Sequence, residues 1–171
     1  GEGTFTLADG STGSFVEVEL DVSLGTPDTG SSGTGYLLGD DGDNILLGGR
    51  GGDILNGGLG RDTLTGGEGA DTFVFDASAL IDAGAGIGDL IADYNFSEGD
   101  VIDLSALLGS EPVTSFNAGE YVRTEGNVLT IDIDGASNGE GFVAIAEFAF
   151  TPGHDALRIL VDDAGQSSVT I

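Results

Sequence analysis

A nine-residue period governs this chain. From Gly39 it reads GDDGDNILL, then GGRGGDILN from Gly48, GGLGRDTLT from Gly57 and GGEGADTFV from Gly66, four units in phase without insertion. The pattern is G-G-x-G-x-D-x-U-x, with U a large apolar residue, and self-similarity at a fixed period marks a solenoid. A fifth, decayed unit precedes them: residues 30–38 read GSSGTGYLL, keeping glycines and the apolar Leu37 but not the Asp. Six residues rich in glycine and ending in Asp predict a tight turn, because glycine takes positive φ without steric cost. The three that follow, such as Ile54, Leu55 and Asn56, predict a short strand whose central side chain points inward. The inward set is then Leu37, Leu46, Leu55, Leu64 and Phe73. Two units make one coil, so alternate units stack at the strand spacing of about 4.8 Å and bring their sixth-position carboxylates together.

That stacking bears on a composition otherwise at odds with folding. The 171 residues include 30 Asp and Glu against 4 Lys and Arg, all of them Arg, a formal net charge of -26, together with 32 Gly. Self-repulsion and glycine entropy both oppose a compact state. Yet 39% of the residues are hydrophobic, which is not the composition of a disordered chain. Something must neutralise the carboxylates before the apolar residues can pack. Carboxylates and turn carbonyls, with no Cys and a single His, define an oxygen-only site. Such a site suits Ca2+, which takes about six to eight oxygens in a flexible shell, better than Mg2+ with its octahedral demand. The same charge balance excludes nucleic acid as a partner, since phosphate binding needs clustered cations. No apolar run approaches the roughly 18 residues of a membrane helix, so no membrane insertion is expected. The first fifteen residues lack the basic-then-apolar pattern of a secretory signal peptide, and no oligomer is implied.

The nonapeptide resembles the calcium-binding repeat of RTX proteins, which Gram-negative bacteria export by type I secretion. The resemblance implies an all-β fold: a right-handed parallel β-roll over residues 30–75. It is flanked by an N-terminal hairpin and linker over 1–29 and by a C-terminal antiparallel β cap or sandwich, with the export signal, over 76–171. It also implies ligands. In the family, one turn gives backbone oxygens from its second and fourth positions, the turn two units later gives those of its first and third, and both give sixth-position side chains. Carried over residue by residue, one site uses Gly49, Gly51 and Asp53 with Gly66, Glu68 and Asp71, Glu68 through its carbonyl. A second uses Asp40, Gly42 and Asn44 with Gly57, Leu59 and Asp62. Here Asn44 stands where Asp is usual and Asp40 where Gly is usual, so this is the weaker site unless Asp41 or Asp43 contributes. A half-site of Ser31 and Gly33 with Gly48, Arg50 and Asp53 lacks a carboxylate at Gly35.

Residues 89–108 (DLIADYNFSEGDVIDLSALL) resemble the segment that follows the repeats in many type I secretion target domains. Leu90, Ile91, Tyr94 and Phe96 among acidic neighbours predict a strand laid over the open end of the roll. Asp89 is the candidate to complete a half-site left by Gly58, Gly60 and Asp62. Asp93 and Asp100 read either as ligands or as turn residues, and Asp103 as a cap for the segment from Ser105. Residues 76–85 (DASALIDAGA) form a small-residue connector with one helical turn. From Val113 onward the chain reads as antiparallel β, with strands over 127–134, 142–150, 156–161 and 168–171 and a turn at 162–165. Ahead of the repeats, 4–7 and 14–24 read as two strands of a hairpin around 8–11, and 26–35 (TPDTGSSGTG) as a linker.

An RTX tail can carry a metalloprotease, a lipase or an epimerase, but His154 is the sole His, so H-E-x-x-H is not available, and in PGHDAL it reads as a loop residue and not as half of a conventional Ser-His pair. The glycine turns are not phosphate loops, since no Lys follows them and the sixth-position Asp repels phosphate. Residues 132–135 open like an EF-hand, yet Ser137 stands where its Gly belongs and Val143 where its Glu belongs, so a strand-to-turn junction is expected. The expected function is non-enzymatic. It is a calcium-dependent folding and secretion module of a secreted or cell-surface RTX protein, an adhesin, with calcium and the type I secretion machinery as partners. The alternatives are the non-catalytic tail of a secreted hydrolase and a surface partner-binding module with structural calcium.

Overall fold

The computed structural model describes residues 2–6, 12–16, 20–22, 27–29, 33–86, 88–108, 113–114, 117–133, 135, 141–150, 157–161 and 168–171. Ahead of the first helix come β1 (Glu2–Thr6), β2 (Thr12–Val16), β3 (Leu20–Val22), β4 (Pro27–Thr29), β5 (Tyr36–Leu38), β6 (Ile45–Arg50), β7 (Ile54–Asn56), β8 (Thr63–Glu68) and β9 (Thr72–Val74). Then follow α1 (Ala77–Ala85), β10 (Asp89–Ile91), β11 (Val101–Asp103), α2 (Ser105–Leu108) and α3 (Ala118–Tyr121). The last strands are β12 (Val122–Glu125), β13 (Val128–Ile131), β14 (Val143–Phe148), β15 (Arg158–Leu160) and β16 (Ser168–Thr170).

The repeats form a parallel β-roll with alternate units paired. Leu37 stands opposite Leu55 and Leu55 opposite Phe73 in one sheet, while Leu46 stands opposite Leu64 in the other. All five inward side chains are buried. One short strand per unit suffices because a single large side chain per nine residues fills the space between the sheets. The roll is not symmetrical about its turns. β6 and β8 continue through the first glycines of the next turn, pairing Gly49 with Gly67 and Arg50 with Glu68, whereas β5, β7 and β9 stop after three residues.

Both flanks extend these sheets. Their strand orders are β12-β13-β14-β10-β8-β6-β4 and β16-β15-β11-β9-β7-β5-β3. The N-terminal hairpin forms as β1 against β2, in register from Glu2 opposite Val16 to Thr6 opposite Thr12. The second strand of that reading is shorter than expected, however. Residues 20–22 leave it to pair with β5, and 27–29, read as linker, pair with β6. An exposed parallel edge recruits any extended backbone beside it, whatever its side chains.

The C-terminal region differs from a separate antiparallel sandwich. β10 is parallel to both β8 and β14, and β11 to both β9 and β15; only β12–β13, β13–β14 and β15–β16 are antiparallel. Nor does one strand lie across the roll's end: β10 and β11 each add a strand to one sheet. The reason is the inward ladder, which continues through Ile91 opposite Leu64 and Phe148, and through Ile102 opposite Phe73 and Ile159. The connector at 76–85 is a nine-residue helix rather than one turn. Asp76 caps it, accepting from Ser78 N at 2.9 Å, and Gly86 ends it in the left-handed region at φ 73. Asp103 caps α2 as expected, accepting from Ser105 N at 3.0 Å. β13 ends at Ile131 and Gly135 turns back with its N–H toward Asp132 O, as a strand-to-turn junction does, while 134 and 136–140 lie outside the described residues. The expected turns at 8–11 and 162–165, together with His154, lie outside the described residues.

Candidate metal centres

The turns stack in two rows, one along each edge of the roll. In the first row the rungs are side chain to backbone: Gly35 N donates to Asp53 Oδ1 (2.6 Å), Asp53 N to Asp71 Oδ1 (2.8 Å) and Asp71 N to Asp100 Oδ1 (3.0 Å). The second row repeats the arrangement, with Asn44 N to Asp62 Oδ1 (2.8 Å) and Asp62 N to Asp89 Oδ1 (3.0 Å). Each sixth-position carboxylate thus spends one oxygen on the coil before it. Its other oxygen is left over: Asp53 Oδ2, Asp62 Oδ2 and Asp71 Oδ2 are buried and accept no hydrogen bond. A buried anionic oxygen with no donor is costly, and three of them in register along two rows ask for a counter-charge.

The glycines make room for these carboxylates. A Cβ on Gly48, Gly57 or Gly66, the first position of each turn, would collide with the sixth-position carboxylate of its own unit. At the second and fourth positions, Gly58 and Gly60 adopt φ 91 and 108, where an L side chain is strained. Coils pack so closely that a Cβ on Gly51 would meet the Gly33 carbonyl carbon at 2.8 Å. The decayed unit therefore stacks on the roll as a repeat does, although it brings no acid.

Electrostatics follow from the stacking. Burial, and then the charges of neighbouring acids, push the Asp62 and Asp71 carboxyls up to about 6 and that of Asp89 up to about 7, from an ordinary 3.8. Burial also raises Asp53 and Asp100. Without a cation these rows resist ionisation. Among the described residues no three His, Cys, Asp or Glu side chains already converge as a metal cluster. The donor set must therefore mix carboxylates with turn carbonyls, and such oxygen-only sets suit calcium.

The first expected site is brought together. Gly49 lies beside Gly67, Gly51 N donates to Glu68 O (2.8 Å), and Asp53 and Asp71 share a rung. The Glu68 carboxylate turns outward to Arg50 Nε at 3.3 Å, which leaves its carbonyl at the turn with one lone pair unspent. The second is also assembled, with Leu59 N on Asp40 O (3.1 Å). Asp40 keeps its carboxylate on its own turn, accepting from Gly42 N (2.8 Å) and Asn44 Nδ2 (3.1 Å), and these bonds lower its carboxyl. Asp43 does reach the next coil, accepting from Arg61 N at 2.9 Å, whereas Asp41 is exposed. Asp89 takes the next rung beyond Asp62. In the half-site ahead, Gly33 and Gly35 face Gly51 and Asp53, while Ser31 lies outside the described residues.

Three acids join the rows beyond that set. Asp100, left open between ligand and turn residue, is the rung after Asp71. Its signal is Asp-x-apolar, which survives in Asp100, Val101 and Ile102 after the glycines have gone. Asp93 clamps the last turn, accepting from Gly66 N and Gly67 N at 2.9 Å each. Asp82 of α1 accepts from Gly60 N at 3.2 Å, and no local pattern announces it.

Comparison with known families matches the RTX calcium-binding nonapeptide repeat, a description spanning four copies, at residues 29–64 and 38–73. No curated protein matches the chain. Among solved structures, the AlgE6R3 subunit of the Azotobacter vinelandii mannuronan C5-epimerase is similar at 27% identity and a TM-score of 0.44, over 83% of this chain and 80% of that one. The fold assignment rests on strand register and not on that loose superposition. Stacked glycine turns, partnerless carboxylate oxygens and the matched repeats agree: residues 29–73 are RTX calcium-binding nonapeptide repeats.

Proposed function

We propose that this chain is a non-catalytic folding and secretion module of an extracellular RTX protein, a bacterial adhesin, exported by a type I system and folded by calcium outside the cell. The observation that carries the calcium-driven folding is the set of three buried carboxylate oxygens without donors. Calcium, when bound, supplies the positive charge these oxygens lack. In its absence, repulsion along the two rows and the entropy of the glycine turns hold the segment open and threadable through an exporter. Extracellular modules of this chemistry bind calcium at about 10⁻⁴–10⁻³ M, and each site filled only in the folded chain adds RT ln(1 + [L]/Kd) to stability. Export is supported by the segment from Asp89 to Leu108, which follows the roll and resembles that of type I secretion targets, and by a chain without Cys that can emerge uncrosslinked. Among the described residues no helix is long and apolar enough to cross a membrane.

Circular dichroism and NMR of metal-free and calcium-loaded protein at pH 7.5 test the folding half of this reading. We expect loss of β signal and collapse of amide dispersion on stripping; unchanged, dispersed spectra would overturn it. Deletion of residues 113–171 in a secreting strain tests the other half. Retention in the cytosol is expected, and undiminished export would leave calcium folding standing without a secretion role.

A further inference from the structure

The ninth position of successive units holds Leu38, Leu47, Asn56, Thr65 and Val74, so a single unit puts an amide ahead of the next turn's first glycine. That glycine cannot be exchanged, because a Cβ on Gly57 would collide with the Asp62 carboxylate. The carboxylate row thereby imposes an Asn-Gly pair at 56–57. In such a pair no side chain shields the glycine nitrogen or restrains its rotation toward the preceding amide. Closure forms a bond from Gly57 N to Asn56 Cγ and breaks the bond from Cγ to Nδ2. Nδ2 leaves as ammonia with the proton lost by Gly57 N. Water then opens the cyclic imide at either carbonyl, which leaves Asp or isoAsp and one new negative charge.

The folded roll holds the pair away from that reaction. Asn56 is buried at the end of β7, where Leu38 stands opposite it and its carbonyl accepts from Gly39 N at 2.8 Å. Both ends of its amide are engaged: Nδ2 donates to Asp76 Oδ2 at 3.0 Å, and Oδ1 accepts from Gly58 N at 3.1 Å. Turning Cγ onto Gly57 N would break these bonds in a place closed to water. Asp76 is also the cap of α1, so this amide ties the roll to the helix that follows it. A carboxylate at 56 would remove the donor and set two anions at hydrogen-bond distance. IsoAsp would in addition lengthen the backbone between buried Leu55 and a turn that has no slack.

We propose that Asn56 is a deamidation site, open to reaction in the metal-free chain and protected in the calcium-folded roll. Time spent unfolded then leaves an irreversible charge at the joint between roll and α1, and that charge impairs later folding. This rests on the calcium-driven folding proposed above.

The full chain is incubated at pH 7.5 in calcium, in EGTA and in urea, with circular dichroism beside peptide mapping that separates Asp from isoAsp. Asn138-Gly139, the other such pair of the sequence, serves in urea as the reference for an unprotected site. We expect Asn56 to match that reference in urea, to react in EGTA, and to react at least about tenfold more slowly in calcium, since modification there needs local opening. Equal rates at Asn56 in calcium and urea would overturn the inference. So would an EGTA sample that is unfolded yet keeps Asn56 intact. An EGTA sample that stays folded and protected would instead overturn the calcium-folding reading, and the gating with it. Asn56→Asp tests the consequence, and should raise the calcium needed for folding several-fold. Adding Asp76→Asn returns an amide to the joint while its Oδ1 still caps Ser78 N, and should restore the wild-type midpoint even where Asn56→Asp alone does not fold. An unmoved midpoint in the single variant, or no rescue in the double, would overturn the role of charge at this joint.

Discussion

The roll and the cap share two sheets and one pair of apolar ladders, yet they are held together differently. In the roll, each nine-residue unit buries one large side chain, and its turn is stitched to the next coil by a carboxylate on a backbone N–H. In the cap, the ladder residues Ile91, Ile102, Phe148 and Ile159 are buried, and Phe148 joins a chain of aromatic contacts. The Tyr94 ring lies 6.4 Å from Phe73 and 5.9 Å, edge-on, from Phe148, and its hydroxyl accepts from Arg158 N at 2.8 Å. Arg158 in turn lies over Phe96 and donates to Gly99 O. One apolar residue per unit is too thin a core to offset the ordering of nine residues, glycine-rich ones above all. The cap carries the denser core, and the roll carries the metal. The lesson is that continuous sheets do not imply a common source of stability.

Paired glycine substitutions break the comparison most sharply. Gly57→Ala places a Cβ against the Asp62 carboxylate, whose Cγ would be 2.7 Å away, in a turn whose neighbours cannot retreat. We expect the calcium requirement for folding to rise by an order of magnitude or more, or folding to fail. Gly126→Ala, in the β12–β13 hairpin at φ 68 with open space around it, meets only backbone strain of about 1–2 kcal/mol. Its calcium midpoint should move only by that loss. Calcium-dependent melting of both variants makes the check; equal sensitivity would mean that the first-position glycine is no more than a turn former.

Acid sharpens it next. The carboxyls of Asp62 and Asp71, at about 6, and of Asp89, at about 7, lie above their unfolded value near 3.8. The metal-free folded chain therefore binds protons more tightly than the unfolded one. Its stability is fullest below about pH 4 and drains away as pH rises through 6 and 7. Metal-free protein should accordingly gain structure on acidification from pH 7.5 to about 4.5. With calcium present, protons compete for the same oxygens, so affinity should fall over that interval. Circular dichroism melts of metal-free protein against pH test the sign, and a roll that loses stability on acidification would refute it.

How much of this was legible in the sequence follows the same divide. The period gave the register of Leu37, Leu55 and Phe73 and the inward set, because each repeat meets only its own copies, and the rung at Asp89 was legible from the segment that follows the repeats. Pro27 and Asp28 read as linker, since nothing in their side chains announces pairing; β6 supplies the template for β4. The parallel placing of β14 and β15 was hidden for a like reason, being decided by which edge β10 and β11 leave open. Asp100 could have been found from its Asp-x-apolar spacing. Asp82 could not, because its role exists only once α1 has docked over the glycine turn.

The smallest expected effect tests the two rows against each other. Asn44 is the one rung in the described roll where an amide stands for a carboxylate, and it is buried. Its Oδ1 accepts from Asp40 N at 2.7 Å, a bond that Asp would keep; its Nδ2 donates to Asp40 Oδ1 at 3.1 Å, a bond that Asp would turn into a clash of like charges. Asn44→Asp should therefore lower stability without metal and raise the affinity of the 39–44 and 57–62 turns for calcium, making the two rows more nearly alike. The gain is bounded, because Asp43 already brings a carboxylate to the next coil through Arg61 N. We expect a several-fold gain in affinity at one site, read by calorimetry beside wild type. An unchanged isotherm would mean that the site between the 39–44 and 57–62 turns binds through its carbonyls and Asp62 without the residue at 44, which would then serve only to hold the turn.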